Sequence, residues 1–142
     1  MYLIVCIDDQ MGMMFNHRRQ SMDSVLRKKI ISLCTDHPLW MNEYTAKQFK
    51  NDIVPESKID ENYLQKAKQD DYCFVESDDI TPYFEKIQGI ILCRWNRTYP
   101  ADTFLKIPGN TDDWEISIID EFPGKSHEKI TIEFWRNKEC EN

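Results

Sequence analysis

Three runs of mostly apolar residues, at positions 2–7, 72–75 and 90–95, mark the strongest structural elements in the chain. Each run is rich in branched or aromatic side chains and lacks a polar residue at every second position, which is typical of a strand buried on both faces. A shorter run, Leu39–Met41, has the same character. The pattern predicts four strands in the interior of a sheet.

The clearest helical pattern follows the first strand. Met22, Val25 and Leu26 have the i, i+3, i+4 spacing that places side chains on one helical face, and the apolar pattern continues through Ile30, Ile31 and Leu33. Ser21 stands just before this pattern, so we expect it to be the N-cap of a helix that runs to about residue 33. Weaker patterns predict short helices at 45–50 and 61–68, and another from Thr81-Pro82 to Gly89, with proline at its first position.

The last third of the chain has a different period. Apolar residues alternate with polar ones from position 114 to 118 and again from 130 to 134. Period two is typical of half-exposed antiparallel strands. Strands and helices therefore alternate first, and two strands follow at the end. This order predicts a single α/β domain over residues 1–142, in which a mixed sheet has a parallel core and antiparallel C-terminal strands.

Composition narrows the class of partner. The 142 residues are 41% hydrophobic and 12% aromatic, which suits a folded core, and the net charge is −7. A protein that binds the phosphate backbone needs a basic face, so we expect no nucleic-acid partner. An acidic surface leaves open a role as a protein-binding or inhibitory module.

Five cysteines are present, an odd number without a C-x-x-C pair. Cys6, Cys73 and Cys93 lie inside apolar runs, where a free thiol behaves as a small hydrophobic group. This pattern predicts free thiols in a reducing compartment. The apolar start of the chain meets Asp8 after seven residues and lacks a basic segment, so we expect a cytoplasmic protein without a membrane partner.

The sequence contains none of the familiar catalytic motifs considered below. The chain has no glycine-rich dinucleotide fingerprint, no nucleotide P-loop and no serine nucleophile elbow. His17, His37 and His127 are far apart in sequence and share no ligand spacing with a cysteine. We therefore predict no metal site, and His127 is expected to hydrogen-bond a turn rather than act in catalysis.

In their order along the chain, several short segments resemble dihydrofolate reductase. Residues 4–12 resemble that family's first strand and the Asp-x-x-x-Gly entry to its mobile loop. Asp23, eleven residues past Gly12, falls where the family places its pterin-binding carboxylate. Residues 41–45 resemble its Met-Gly-Arg-x-Thr segment, and 101–104 are similar to its Gly-Asp-Thr-x-Phe-Pro. The resemblance covers nearly the whole chain and implies a dihydrofolate reductase-like fold.

The departures from that family concern the cofactor. Glu76-Ser77 stands where the family has adjacent glycines against the cofactor pyrophosphate, and Glu43 stands where it has an arginine for the extra phosphate. A carboxylate in place of glycine or a cation opposes phosphate binding. The resemblance therefore implies that the NADPH site is lost and that no cofactor is bound.

The substrate half of the resemblance, together with local chemistry, suggests a set of ligand-binding residues. In one interpretation, Asp23 accepts two hydrogen bonds from an aminopyrimidine-like ring. In the other, it only stabilises the helix from position N2, where a negative charge interacts favourably with the helix dipole. The basic stretch 16–20 would hold a polar ligand, or it is a solvated loop. Aromatic rings would wall a flat ligand, or they belong to the core. The full candidate set is Asp23, Phe15, Asn16, Arg18, Arg19, Trp40, Thr45 and Cys93.

Three functions stay open at this point. The first is a divergent, non-canonical relative of dihydrofolate reductase that binds a pterin-like or nucleotide-like heterocycle in a cleft at Asp23. The second is an acidic protein-interaction or inhibitor module. The third is a working reductase that uses NADPH in a rearranged site.

Overall fold

The apolar runs form the centre of a seven-stranded mixed sheet in the computed structural model, which describes residues 1–140. The strands are β1 Tyr2–Ile7, β2 Gly12–Phe15, β3 Arg18–Arg19, β4 Leu39–Met41, β5 Ser57–Ile59, β6 Tyr72–Phe74, β7 Gly89–Arg94, β8 Thr103–Phe104, β9 Trp114–Phe122 and β10 Ile130–Asn137. The helices are α1 Ser24–Leu33, α2 Glu43–Gln48 and α3 Tyr63–Lys66, with 3₁₀ turns at Thr81–Lys86 and Thr111–Asp113.

The strand order of the main sheet is β5-β4-β6-β1-β7-β10-β9. The first five strands in this order are parallel, since β1 pairs in parallel with β6 and β7, and β4 with β5 and β6. The last two, β10 and β9, are antiparallel. The predicted α/β class is thus confirmed, including the parallel core and the antiparallel C-terminal strands.

Helix α1 begins two residues later than its sequence pattern indicates. Asp23, not Ser21, is the N-cap: its backbone is extended, and its side chain accepts hydrogen bonds from the amides of Val25 and Leu26. Both residues have the short polar side chain that an N-cap needs, so sequence alone does not separate them. Asp23 therefore lies at the helix boundary and not at position N2. Its carboxylate is held by the first free amides of the helix.

The other helices are short. Asn42 caps α2 by accepting a hydrogen bond from the Thr45 amide, so this helix begins at Glu43 rather than at Thr45. The proline-initiated segment is a 3₁₀ turn that ends at Lys86. Gly89 does not end a helix, as the sequence suggested, but begins β7, where a side chain would meet the ring of Phe134.

A second, three-stranded sheet of order β3-β2-β8 covers the carboxyl ends of the central strands and was not foreseen. Its hairpin joins Phe15 to Arg18 through Asn16 and His17, which both have positive φ. This is the arrangement of a two-residue hairpin turn that usually contains glycine. The basic stretch interpreted as a loop is therefore part of a hairpin that carries Arg19 back toward the main sheet.

Side chains alternate between two hydrophobic clusters, one on each face of the sheet. Leu3, Val5 and Leu92 lie in one cluster, whereas Ile4 and Cys93 lie in the other, beneath α1. All five cysteines are free thiols. Within residues 1–140, no helix has the length and apolar character needed to cross a membrane.

A candidate ligand cleft at the carboxyl ends of the parallel strands

A small cavity lies where β1 and β6 end beside α1. This is the edge of a parallel sheet at which open α/β folds generally bind ligands. The space left free between the side chains is about 20 Å³, enough for a water molecule but not for a ring system. The cavity is lined by Cys6, Met13, Arg19, Gln20, Ser21, Asp23, Leu26, Arg27, Ile30, Gln48, Phe74, Val75, Glu76 and Trp95.

Arg19 and Glu76 close this cleft with a two-bond ion pair. Nε of Arg19 donates to Oε2 of Glu76 at 2.8 Å, and Nη2 donates to Oε1 at 3.0 Å. The side chains are 18% and 8% exposed, so the pair is largely shielded from solvent. A planar guanidinium that bonds both oxygens of a carboxylate is among the stronger polar contacts in proteins.

Tyr44 fixes the hairpin that delivers Arg19. The Arg19 amide donates to the Tyr44 hydroxyl at 3.0 Å, and Nη2 of Arg19 also donates to the Tyr44 carbonyl at 3.2 Å. The guanidinium lies over the Tyr44 ring, 4.4 Å from its centre, at cation–π distance. Helix α2 thereby holds Arg19 in its position at the cleft.

Three buried side-chain atoms in the described part of the chain have no hydrogen-bond partner: Gln20 Oε1, Thr45 Oγ1 and Gln48 Nε2. Gln20 and Gln48 both line the cavity, and Thr45 belongs to the same short helix as Gln48. A buried polar atom without a partner costs about 1–3 kcal/mol. Two such atoms in residues that line one cavity, Gln20 and Gln48, are typical of a site that a polar ligand completes.

Asp8 holds Gln20 in place. Its Oδ2 accepts hydrogen bonds from Nε2 of Gln20 at 3.0 Å and from the Tyr99 amide at 3.2 Å, and its Oδ1 accepts from the amides of Gln10 and Gly12. Burial by itself raises the pKa of Asp8, but these four donors outweigh it and leave the pKa below its usual value. The Asp-x-x-x-Gly segment therefore orients a cavity residue.

Asp23 lines the cavity, but its carboxylate is already fully engaged within the chain. Oδ1 accepts from the amides of Val25, Leu26 and Lys125, and Oδ2 accepts from the Ser126 amide. Oδ2 also lies 2.9 Å from Nδ1 of His127. The exposed fraction of the Asp23 side chain is 0%. Asp23 thus ties the start of α1 to the turn between β9 and β10.

The turn approaches Asp23 closely because residue 124 is glycine. A Cβ at Gly124 would lie far inside van der Waals contact with Oδ2 of Asp23. Burial alone raises the pKa of Asp23, but the hydrogen bonds from His127 and the amides of Lys125, Ser126 and Leu26 outweigh that effect and lower it strongly. The buried carboxylate is therefore a stable anion near neutral pH.

His127 joins three side chains around this carboxylate. Its Nε2 lies 3.0 Å from Oγ of Ser21 and 3.1 Å from the hydroxyl of Tyr99. The indole of Trp95 stacks on the imidazole with a centroid distance of 4.5 Å. His127 stands in a turn, as predicted, where its carbonyl accepts from the Gly124 amide, but its ring also contacts Ser21, a cavity residue.

The remaining candidate residues are dispersed. Phe15, Asn16 and Arg18 are exposed on the hairpin, outside the cavity. Trp40 packs on the hydrophobic cluster that contains Leu3 and Val5, and its indole N–H donates to the Asp71 carboxylate. Cys93 is buried in β7, beneath α1. Of the eight candidates, the structure brings Asp23 and Arg19 to the cavity wall, with Thr45 nearby in α2.

The sequence did not mark Gln48 or Ser21 as site residues, it included Gln20 only within the stretch 16–20, and it indicated Glu76 only as an obstacle to phosphate. Gln20 lies next to Arg19 in the basic stretch, so the available signal was proximity along the chain. Glu76 is 57 residues from Arg19, and no local pattern indicates that the two meet.

A second, wider groove lies beside the hairpin. It has a volume of about 360 Å³ and is lined in part by Ser77, Asp78, Asp79, Asp102 and Lys106. Three carboxylates against one ammonium group make its surface acidic, which disfavours a phosphate-bearing ligand. Among the described residues, no group of three or more His, Cys, Asp and Glu side chains is arranged to hold a metal ion.

Comparison with known proteins does not assign the chain to a family. Neither a scan against protein-family models nor a search of curated proteins gave a match. The resemblance to dihydrofolate reductase therefore stays a prediction from the sequence.

Proposed function

We propose that this protein is a divergent, non-canonical relative of dihydrofolate reductase that binds a small flat heterocycle, pterin-like or purine-like, in the cleft between α1 and the ends of β1 and β6. In this proposal Glu76 is the anchoring carboxylate and no NADPH is used. The single observation that carries it is the bidentate pair of Arg19 and Glu76 across the cavity mouth.

The chemistry of that pair suggests the ligand. The paired N–H groups of a guanidinium have the same donor geometry as the N–H edge of a ring-protonated 2-aminopyrimidine, a pterin or a guanine. Glu76 already accepts two such hydrogen bonds from Arg19 and is 9% exposed. A heterocycle with this edge would replace Arg19 without leaving the carboxylate unpaired, which avoids the cost of a buried lone charge.

The unpartnered amide groups support the same site. Gln20 Oε1 would accept a hydrogen bond from the ligand, and Gln48 Nε2 would donate one. The surrounding Leu26, Ile30 and Phe74 offer apolar surface to the ring faces. A few polar groups within an apolar wall are typical of small-molecule sites.

Asp23 has a supporting role in this account. Its oxygens receive five hydrogen bonds from within the chain, so pairing with a ligand would require several of them to break. We therefore assign to Asp23 the positioning of the α1 wall of the cleft, and to Glu76 the pairing with the ligand.

A thermal-shift experiment tests the assignment. Pterin, folate and guanine are added to the wild type, to Glu76→Gln and to Glu43→Gln. Glu43 is an exposed glutamate of α2 that makes no side-chain contact with Arg19, so it is a matched control for charge. We expect a ligand to raise the melting temperature of wild type and Glu43→Gln but not of Glu76→Gln. Equal shifts in all three would remove Glu76 as the anchor.

A protein partner is a second candidate, supported by β9. This edge strand carries three large hydrophobic residues that are 44–61% exposed, Ile116, Ile118 and Ile119. An edge strand with exposed apolar residues is a typical surface for pairing with another chain. Size-exclusion chromatography of wild type and Ile118→Lys tests this pairing surface. A complex with a partner, or a self-associated form, that is present in the wild type and lost in the variant supports it.

A further inference from the structure

Asp23, His127 and Ser21 form a continuous hydrogen-bonded chain, of which the proposed heterocycle site uses only Asp23, as the residue that positions the α1 wall. Nδ1 of His127 lies 2.9 Å from Oδ2 of Asp23, and Nε2 lies 3.0 Å from Oγ of Ser21. A carboxylate, an imidazole and a hydroxyl in this order and at these distances are the constellation of a serine nucleophile with its general base.

The environment fixes the direction of the protons. Asp23 is a buried anion that can only accept, so Nδ1 of His127 carries the proton that it donates to Oδ2. The opposite nitrogen, Nε2, faces the hydroxyl groups of Ser21 and Tyr99. With Nδ1 directed at the carboxylate, Nε2 is the ring nitrogen placed to take a proton from Ser21, as a general base does.

The imidazole is also held rigidly. Trp95 stacks on its face at 4.5 Å between centroids, and the side chain of His127 is only 2% exposed. Ser21, in contrast, is half-buried and lines the cavity, whose wall also includes Arg19 and Glu76. The base is thus shielded, while Ser21 lies in the wall of the cavity that the Arg19 side chain fills, so a substrate reaches Ser21 when that side chain moves away.

We propose that Ser21 is a nucleophile that takes an acyl group from a small ester, with His127 as its general base and Asp23 as the positioning residue. Oγ of Ser21 bonds to the carbonyl carbon as its proton passes to Nε2 of His127. The carbon–oxygen bond to the alcohol then breaks, and the alcohol leaves with that proton. Water attacks the acyl-serine, its proton passes through Nε2, and Oγ is released as the hydroxyl.

This inference does not depend on heterocycle binding, because Glu76, Gln20 and Gln48 take no part in the step. Acylation distinguishes this role from a purely structural one. If Ser21 only forms a structural hydrogen bond, its hydroxyl is a poor nucleophile and stays unmodified, whereas a Ser21 that is activated by His127 becomes acylated.

The experiment uses 4-nitrophenyl acetate with the full chain. Nitrophenolate release is followed, and acetylated peptides are mapped by mass spectrometry. Wild type and Arg19→Ala are both measured, because removal of Arg19 widens the cavity. We expect acetylation at Ser21, its loss in Ser21→Ala, and a decrease of about 100-fold or more in rate in His127→Gln. Ser24→Ala, a nearby serine in the first turn of α1, serves as the control and should react as the wild type does.

Folding of the variants does not decide the outcome. In Ser21→Ala, Tyr99 still bonds Nε2 of His127, so the network around Asp23 stays intact, and circular dichroism checks this. The proposal is overturned if neither wild type nor Arg19→Ala is acetylated at Ser21. It is equally overturned if acetylation of Ser21 proceeds at the same rate in folded His127→Gln.

Discussion

The guanidinium of Arg19 and the carboxylate of Glu76 meet across the cavity mouth through two hydrogen bonds of 2.8 and 3.0 Å. One partner comes from a hairpin that follows β1, and the other comes directly after β6. Their contact closes the edge of the sheet at which a ligand would enter. The side chain of Arg19 therefore acts as an internal occupant of the cleft.

Replacement of Asp23 by alanine should destabilise the protein by about 3 kcal/mol. The change removes an N-cap, which contributes about 1–2 kcal/mol, and takes away the acceptor of the partly buried hydrogen bonds from the Lys125 and Ser126 amides. Urea unfolding followed by tryptophan fluorescence measures the loss. Asp36→Ala, at an exposed aspartate just after α1, is the control and should change stability by less than about 0.5 kcal/mol.

Stability should decrease as the pH falls below about 4. The pKa of Asp23 is lowered in the folded protein, and that of Asp8 is also lowered. Below the ordinary aspartate pKa of about 3.9, the unfolded chain takes up protons that the folded chain does not, so acid favours unfolding. Urea midpoints measured from pH 7 to pH 3 should fall. Asp23→Asn should show a smaller fall, and an unchanged pH dependence in this variant would contradict the assignment.

The buried cysteines should be unreactive until the chain unfolds. Burial raises the pKa of Cys34 and of Cys73 to about 12, so almost no thiolate is present near neutral pH. A hydrogen bond with Cys93, together with burial, raises the pKa of Cys6 well above its usual value. With Ellman's reagent at pH 7.5 we expect reaction of the half-exposed Cys140 alone. The other thiols should react only in urea; rapid modification of four or five thiols in buffer would contradict this.

NADPH should not bind at micromolar concentration. The groove beside the hairpin is lined by Asp78, Asp79 and Asp102 with one lysine, and these carboxylates repel the cofactor's phosphates. Titration with NADPH, followed by intrinsic tryptophan fluorescence, should give no saturable quenching. Saturable quenching would instead support the hypothesis that the protein is a reductase with a rearranged cofactor site.

Much of the fold follows from the sequence because its strands carry runs of mostly apolar residues. The buried strands β1, β4, β6 and β7 were predicted to within one residue, and the two antiparallel C-terminal strands were predicted as elements, although β9 extends four residues past the predicted alternation, to Phe122. The hairpin of β2 and β3 was not, because its turn uses Asn16 and His17 at positive φ rather than glycine. No local pattern marks those two residues as a hairpin turn.

The candidate site was only partly predictable. Asp23 and Arg19 do line the cavity, but the partners that define their roles come from distant parts of the chain. Glu76 is 57 residues from Arg19, and His127 is 104 residues from Asp23. Contacts of this kind depend on strand order and on the close approach allowed by Gly124. Periodicity along the chain carries no information about them.

The affinity of Arg19→Ala for pterin is the most direct measure of whether Glu76 anchors a ligand in this cleft. Isothermal titration calorimetry should give at least about tenfold tighter binding to Arg19→Ala than to wild type. The reason is that the ligand no longer competes with two charge-assisted hydrogen bonds, and tenfold corresponds to 1.4 kcal/mol. Binding should be lost when Glu76→Gln is added. No binding to either protein, or equal affinity for both, would contradict the account.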